Sequence, residues 1–299
     1  MPLHPQSQAF LAAVAASGSR GWSQMPLNEA RDTFNSIDAF GDGPDLHRVD
    51  DRVADTVPVR VYRPAAAAGG TTVVYFHGGG WVLGNVQSHD AVCRNLASHT
   101  GFSVVSVDYR CAPEHRYPVA LVDSFTATRF VSKYGDEFGV DSTNIILSGD
   151  SAGGNLACAV SLKARGTDLE IKGQVLLYPV VSPCFTTESY NQFANDHGLT
   201  RATMMWFWEQ YLGNQKPDRL ADLLLNQSFA DLPSTHLVVA EYDVLRSECE
   251  TLAERLKADG VSLTRKQYDG MLHGFVHFAG AFDDGRQAIR DIAEVMKNF

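Results

Sequence analysis

From about residue 57 onward, apolar positions along the chain fall into two alternating spacings. Short runs rich in β-branched residues read as strands: VPVRVY (57–62), TTVVYF (71–76), FSVVSVD (102–108), NIILS (144–148), GQVLLYP (173–179), HLVVA (236–240) and VSLTRKQY (261–268). Several are apolar at nearly every position, as strands covered on both faces should be. Between them, apolar residues recur at helical spacing in SHDAVCRNLASHT (88–100), PVALVDSFTATRFVSKY (118–134), AGGNLACAVSLKAR (152–165) and SECETLAERLKADG (247–260). The last carries Leu252 and Leu256 and closes on Gly260, a C-terminal cap. This alternation predicts an α/β domain with a largely parallel sheet between two layers of helices.

Two segments leave that rhythm. Residues 1 to about 50 read as helical and irregular, ending in the turn-rich GDGPD (41–45). Residues from about 183 to 230 interrupt the alternation and contain the aromatic-rich helix LTRATMMWFWEQYL (199–212), with Thr200 placed as its N-cap. AAAAGG (65–70) reads as a short loop. In the last segment, FDDGRQAIRDIAEVMKNF (282–299), Ile289, Ile292 and Val295 form a helical stripe that packing on its own sheet or on a second copy explains equally.

Composition narrows the partners. The 299 residues carry a formal net charge of −10 with no cluster of Lys and Arg, so neither nucleic acid nor an anionic membrane is an expected partner. Five scattered cysteines, Cys93, Cys111, Cys158, Cys184 and Cys249, show no zinc spacing and imply no disulfide framework, no metal site and a reducing, cytoplasmic setting. The apolar run FLAAVAA (10–16) has no preceding Lys or Arg and reads as a surface helix, not a signal peptide. No run approaches the roughly 20 apolar residues of a membrane span.

The chemistry begins at NIILSGDSAGGNLA (144–157), where a strand runs straight into GxSxG and a helix. A strand-to-helix turn sharp enough to expose Ser151 strains the backbone and needs small flanking residues. A serine hydroxyl is a weak nucleophile that needs a base, and the base needs an orienting carboxylate. In this arrangement the acid and then the histidine follow the serine along the chain. Of His197, His236, His273 and His277, only His273 lies in a loop directly after a strand; His236 opens a strand, His197 lies in the interruption, and His277 begins the last helix or packs there. Ligands gather at the carboxyl ends of such strands. Asp243 follows HLVVA in the same way and is the preferred acid. Glu241 points elsewhere by alternation, Glu248 is expected one turn into the helix and solvated, and Asp269 is close to His273 in sequence.

HGGGWVLGN (77–85) follows another strand and supplies the remaining part. Attack by Ser151 on a carbonyl creates an oxyanion, and only glycine lets a backbone turn its N–H groups inward without a Cβ in the way. Each such donor contributes ~2.7–4 kcal/mol to the transition state, against ~0.5–1 kcal/mol of entropy lost per glycine. Gly79 and Gly80 are the preferred donors with Ala152, Gly78 remaining open, while His77 braces the loop.

HGGGWVLGN (77–85), YRCAPEHRYPVALVD (109–123), GDSAGGNLA (149–157), EYDVLRSE (241–248) and MLHGF (271–275) together resemble the hormone-sensitive-lipase-like carboxylesterases, also called bacterial family IV, of the α/β-hydrolases. The resemblance implies an α/β-hydrolase core with an eight-stranded, mostly parallel sheet flanked by helices, and a helical cap built from residues 1–50 and 183–230 on a core of 51–182 and 231–299. It implies Ser151 as nucleophile, Asp243 as orienting acid and His273 as base, with Gly79, Gly80 and Ala152 as the oxyanion hole and no cofactor. Two positions depart from the family pattern: Val244 stands where proline follows the acid, and Cys111 stands for leucine, read as a small hydrophobe. The expected activity is hydrolysis of short- to medium-chain acyl esters, small molecules bound beneath the cap helix with Met204, Met205, Trp206, Phe207, Trp208 and Tyr211 and beside Trp81. Amide, lactone or sugar-acetate hydrolysis by the same residues is the alternative. A non-catalytic receptor is disfavoured because His273 stands in its motif. Members of the family often form dimers, which leaves a homodimer open.

Overall fold

A computed structural model describes residues 2–36, 41, 43–65 and 70–299. Most of the loop expected at 65–70, and Asp42 of the GDGPD turn, lie outside the described residues. The strands are β1 (Arg48–Ala54), β2 (Val57–Arg63), β3 (Thr71–Phe76), β4 (Ser103–Val107), β5 (Asn144–Asp150), β6 (Gly173–Leu177), β7 (Ser234–Tyr242) and β8 (Leu263–Leu272). The helices are α1 (Pro5–Ala16), α2 (Leu27–Ser36), α3 (Asp90–Thr100), α4 (Val119–Phe138), α5 (Ala152–Ala164), α6 (Glu188–Gln192), α7 (Arg201–Leu212), α8 (Arg246–Ala258) and α9 (Asp283–Lys297).

The strands form one sheet in the order β1-β2-β4-β3-β5-β6-β7-β8. Only β2 runs against its neighbours; every other pairing is parallel. Because successive side chains alternate across a sheet, β3 sends Val74 and Phe76 into one core and Val73 and Tyr75 into the other. The first core is closed by α4, α5 and α8, the second by α3 and α9, whose Ile289 and Ile292 are buried against the protein's own sheet and α3. Every residue of α5 except Lys163 is buried, which only a helix apolar or small all round tolerates. Among the described residues, no helix is long and apolar enough to cross a membrane.

The strand β1 departs from the sequence expectation. It begins at Arg48, inside the segment read as helical and irregular, and its sequence RVDDRVA has no apolar run. It is an edge strand held by its ladder to β2 and by charges on both of its faces, Asp50 with Arg48 and Arg63 on one and Asp51 with Arg60 on the other. Edge strands carry such charge to discourage further pairing, so hydrophobic periodicity is blind to them. The aromatic helix α7 forms as expected, with the Thr200 hydroxyl accepting the Thr203 N–H at 3.1 Å.

Candidate active site

Ser151 stands between the last residue of β5 and the first of α5, with φ +55° and ψ −116°. Residues bearing a Cβ rarely adopt positive φ, and holding one there costs roughly 1–3 kcal/mol. Packing enforces the turn. A Cβ on Gly153 would lie 1.9 Å from the Phe76 carbonyl oxygen, so the first turn of α5 is pressed against the end of β3. On either side, the Ser151 N–H donates to Leu177 C=O at 2.8 Å and its own C=O accepts from Val180 at 3.1 Å.

Asp243 and His273 follow the last residues of β7 and β8, which run longer than their apolar cores suggested. Their pairing depends on an irregularity in the ladder: Ala240 is opposite Tyr268, yet Tyr242 is opposite Leu272. Two extra residues of β8 are absorbed there, with the Gly270 N–H donating to Glu241 Oε2 at 2.6 Å. A regular ladder would set Asp243 beside Met271; the bulge sets it beside His273, in keeping with bulges being used to re-aim side chains. The His273 Nδ1–H donates to Asp243 Oδ2 at 2.6 Å, and the Ser151 hydroxyl donates to His273 Nε2 at 2.9 Å. The other oxygen of Asp243 accepts the Leu245 N–H at 2.9 Å, and the carboxylate is buried. The structure thus brings Ser151, His273 and Asp243 into one hydrogen-bonded line.

Beside them, the register pairs Phe76 with Gly149, so the 77–80 turn and the serine turn leave the sheet side by side. Three successive carbonyls of the 77–80 turn are anchored from behind. His77 C=O accepts the Tyr109 hydroxyl at 2.7 Å, Gly78 C=O accepts His77 Nδ1–H at 2.8 Å, and Gly79 C=O accepts Leu83 and Val82 N–H at 2.8 and 3.1 Å. In a planar trans peptide the N–H points opposite the preceding C=O. The N–H groups of Gly79 and Gly80 are therefore turned away from these anchors, and neither they nor Ala152 N–H hydrogen-bond to any described residue. Gly78 is different: its N–H donates to Asp150 Oδ1 at 2.9 Å, which removes it from the donors left open by the sequence. Gly79 has φ +109°, and a Cβ there would lie 2.2 Å from Leu83 O, so only glycine makes this turn.

Charge around the turn is arranged for rigidity. Asp150 is buried and accepts Tyr75 OH at 2.7 Å. Burial pushes its carboxyl up, but the neighbouring His89, with His277 and Tyr75, outweighs this and holds it below the ordinary carboxylate range. Burial lowers His77 to about 3, so it stays neutral, with the proton on Nδ1 where Gly78 needs it. The aromatics of α7 close the far side: the Phe207 ring occupies the space a Cβ on Gly80 would take, and Trp81 stacks on Tyr211 at 4.1 Å and meets Trp208 at 4.8 Å.

Two expectations need correction. Glu248 is buried, not solvated: its Oε1 accepts Val181 N–H at 2.7 Å, and burial pushes its carboxyl well above the ordinary value. His277 does not begin the last helix, which starts at Asp283. It lies buried between His89 and Phe34, stacked at 4.3 and 5.5 Å. Tyr109, Asp150 and Arg31, absent from the candidates, anchor the turn; Tyr109 and Asp150 stand inside the quoted YRCAPE and GDSAGG motifs, but all three meet the turn across at least 32 positions of chain, so local spacing does not reveal the contacts. His236 pairs with Thr264 Oγ1 at 2.7 Å, His197 with Asn195 C=O at 2.7 Å, and Asp269 with Gln267 at 2.9 Å, all away from Ser151. Cys111 is half-buried against Tyr109 C=O.

Residues 73–277 match the family described as the α/β-hydrolase fold. An arylesterase of Saccharolobus solfataricus is 30% identical over 309 aligned positions, covering 100% of this chain and 99% of that protein. An ethyl acetate hydrolase of Pseudomonas putida is 29% identical, covering 99% of both chains. Among solved structures, a hyperthermophilic esterase from the archaeon Pyrobaculum calidifontis superposes with a TM-score of 0.92 at 38% identity, covering 100% of this chain and 99% of the other.

Proposed function

The chain belongs to the α/β-hydrolase fold family, in its hormone-sensitive-lipase-like branch, and is a carboxylic ester hydrolase; we propose that it cleaves short- to medium-chain acyl esters through an acyl-enzyme formed on Ser151. The observation that carries this is the continuous line from Asp243 through His273 to Ser151, at 2.6 and 2.9 Å. Ser151 Oγ attacks the ester carbonyl while His273 Nε2 takes its proton, and Asp243 holds the imidazole in the Nδ1–H tautomer and stabilises its charged form. The tetrahedral oxyanion is held by the N–H groups of Gly79, Gly80 and Ala152, which have no competing partner to give up among the described residues. His273 then protonates the departing alcohol and activates water to release the acid.

Arg48–Asp50 of the segment expected in the cap belong to β1 of the core, and in this reading the described N-terminal residues up to Ser36 and residues 183–230 form a cap over the serine. The contact of Phe207 with Gly80 and the Trp81–Trp208–Tyr211 cluster support it, because they fix α7 to the proposed oxyanion turn. An aromatic wall so near the reacting carbonyl favours small acyl groups. The Pseudomonas putida relative, an ethyl acetate hydrolase, points the same way.

Hydrolysis of p-nitrophenyl acetate, butyrate, octanoate and palmitate by wild type and Ser151→Ala tests both parts. The expected result is cleavage of the shorter esters and a loss of at least about a thousandfold in the variant. Equal turnover in the two proteins removes Ser151 from the mechanism, and palmitate as the preferred ester removes the small pocket.

A further inference from the structure

Arg31 of α2 reaches out of the N-terminal segment to the back of the 77–83 turn. Its Nε–H donates to Val82 C=O at 3.0 Å, and its NH2 group donates to Ala112 C=O at 2.8 Å and Glu114 at 2.7 Å. Val82 C=O shares a peptide unit with Leu83 N–H, which donates to Gly79 C=O at 2.8 Å. Gly79 C=O in turn shares a peptide unit with Gly80 N–H. Two trans peptides are therefore linked head to tail between a guanidinium and Gly80, each donating N–H opposite its accepting C=O. Hydrogen bonds in such chains polarise one another, and a permanently charged donor at the head is the strongest source of that polarisation.

We propose that Arg31 is a positioning residue for ester hydrolysis, orienting and polarising the Gly80 N–H through Val82 and Leu83. This rests on Gly80 being an oxyanion donor, as read above. The same guanidinium ties down the 109–117 loop, where Ala112 N–H donates to Trp81 C=O at 2.8 Å and Tyr109 holds His77, so one side chain clamps the turn from two directions. Arginine suits the task because its planar fork serves several carbonyls at once and never loses its charge. The Arg31 side chain is a quarter exposed and borders a cavity of about 350 Å3, lined also by Asn35, Val82, Gly84, Cys111 and Glu114. A small cation can therefore reach the place of a truncated Arg31.

The test uses p-nitrophenyl butyrate with wild type, Ser151→Ala, Arg31→Ala and Arg31→Lys. Wild-type turnover that Ser151→Ala abolishes establishes the ester reading first; its absence sinks that reading and says nothing specific about Arg31. With turnover established, Arg31→Ala is expected to lower kcat by about ten- to thirtyfold with KM changed less than threefold, as an interaction made in the transition state requires. Its affinity for a trifluoromethyl ketone, which forms the same oxyanion, should fall in parallel. Guanidinium at low millimolar concentration should restore at least a third of the lost kcat in Arg31→Ala and none in Ser151→Ala. Arg31→Lys, a charge without the fork, should lie between Arg31→Ala and wild type, and it decides the matter if Arg31→Ala does not fold. A kcat within twofold of wild type in the folded variants, or a loss that guanidinium does not relieve, overturns the proposal.

Discussion

The serine turn and the 77–83 turn leave neighbouring parallel strands at the same end of the sheet, yet they are made rigid by different forces. The serine turn is fixed by close packing: its strained Ser151 persists because Gly153 leaves no space between α5 and the end of β3. The 77–83 turn is fixed by hydrogen bonds to its carbonyls from Tyr109, His77, Leu83 and, one peptide removed, Arg31. Packing of this kind is local and all-or-none, because a backbone oxygen has nowhere to go. Hydrogen-bond anchoring is distributed, so it should fail in steps, each anchor lost costing a part of the donor geometry.

The largest expected effect follows from the first half of that contrast. Gly153→Ala puts a methyl 1.9 Å from Phe76 O, and relief requires moving a helix or a central strand. Overpacking typically costs 1–3 kcal/mol where side chains can give way, so roughly 3 kcal/mol or more is expected here. The measurement is the thermal midpoint together with ester turnover: both should collapse, and a well-folded Gly153→Ala enzyme with more than a tenth of wild-type kcat would show that packing does not hold the serine turn.

Gly79→Ala comes next. It forbids φ +109° and drives a methyl onto Leu83 O, displacing the two proposed donors on either side of that residue. Loss of one oxyanion donor costs about 10²–10³ in kcat, and that range is expected with KM little changed. Unlike Gly153, Gly79 ends no buried helix, so the thermal midpoint should move by only a few degrees. A collapse of the fold would place this turn in the same class as the first.

Tyr109→Phe tests a single anchor. The His77 carbonyl loses its hydroxyl partner in a buried site, a penalty of about 1–3 kcal/mol. Turnover should fall by about tenfold, because the Gly78 and Gly79 carbonyls keep their anchors. Graded loss across Tyr109→Phe, Arg31→Ala and Gly79→Ala, measured as kcat on one ester, is what distributed anchoring means; equal losses in all three would refute it.

The same contrast explains what could be read in the sequence. The GxSxG turn and the three adjacent glycines are local: their chemistry is written in consecutive residues, so Ser151, Gly79 and Gly80 stand out without a structure. Asp243 and His273 were legible because each lies a few residues beyond a run read as a strand, although the bulge at Gly270 that pairs them was not, since glycine at one strand position does not announce a two-residue shift. Tyr109, Asp150 and Arg31 act over 32, 72 and 51 positions of chain to reach the turn, and no local spacing encodes such contacts. The edge strand β1 was hidden for another reason: Arg and Asp occupy positions that a buried strand gives to valine.

Glu248 marks the smallest effect and the most specific one. It sits a turn into α8, where sequence suggests a solvated carboxylate, but the fold buries it to receive Val181 N–H, beside the segment that supports Ser151 C=O through Val180. Burial raises its folded carboxyl well above the ordinary value of 4.5. The native state therefore keeps a proton that the unfolded chain releases, and linkage makes stability fall with rising pH above about 4.5 until the native carboxyl also ionises. The contribution is fully present below 4.5 and progressively lost above it. Glu248→Gln retains an oxygen for Val181 and has no proton to lose, so the thermal midpoint of the variant relative to wild type should rise between pH 5 and 8. Turnover at a fixed temperature well below both midpoints should change less than threefold, because Glu248 touches neither Ser151 nor the 77–83 turn. A difference in midpoint that is flat across this range would mean that Glu248 is charged in the folded protein, and that the 178–182 segment is held by an ionised carboxylate instead of a neutral one.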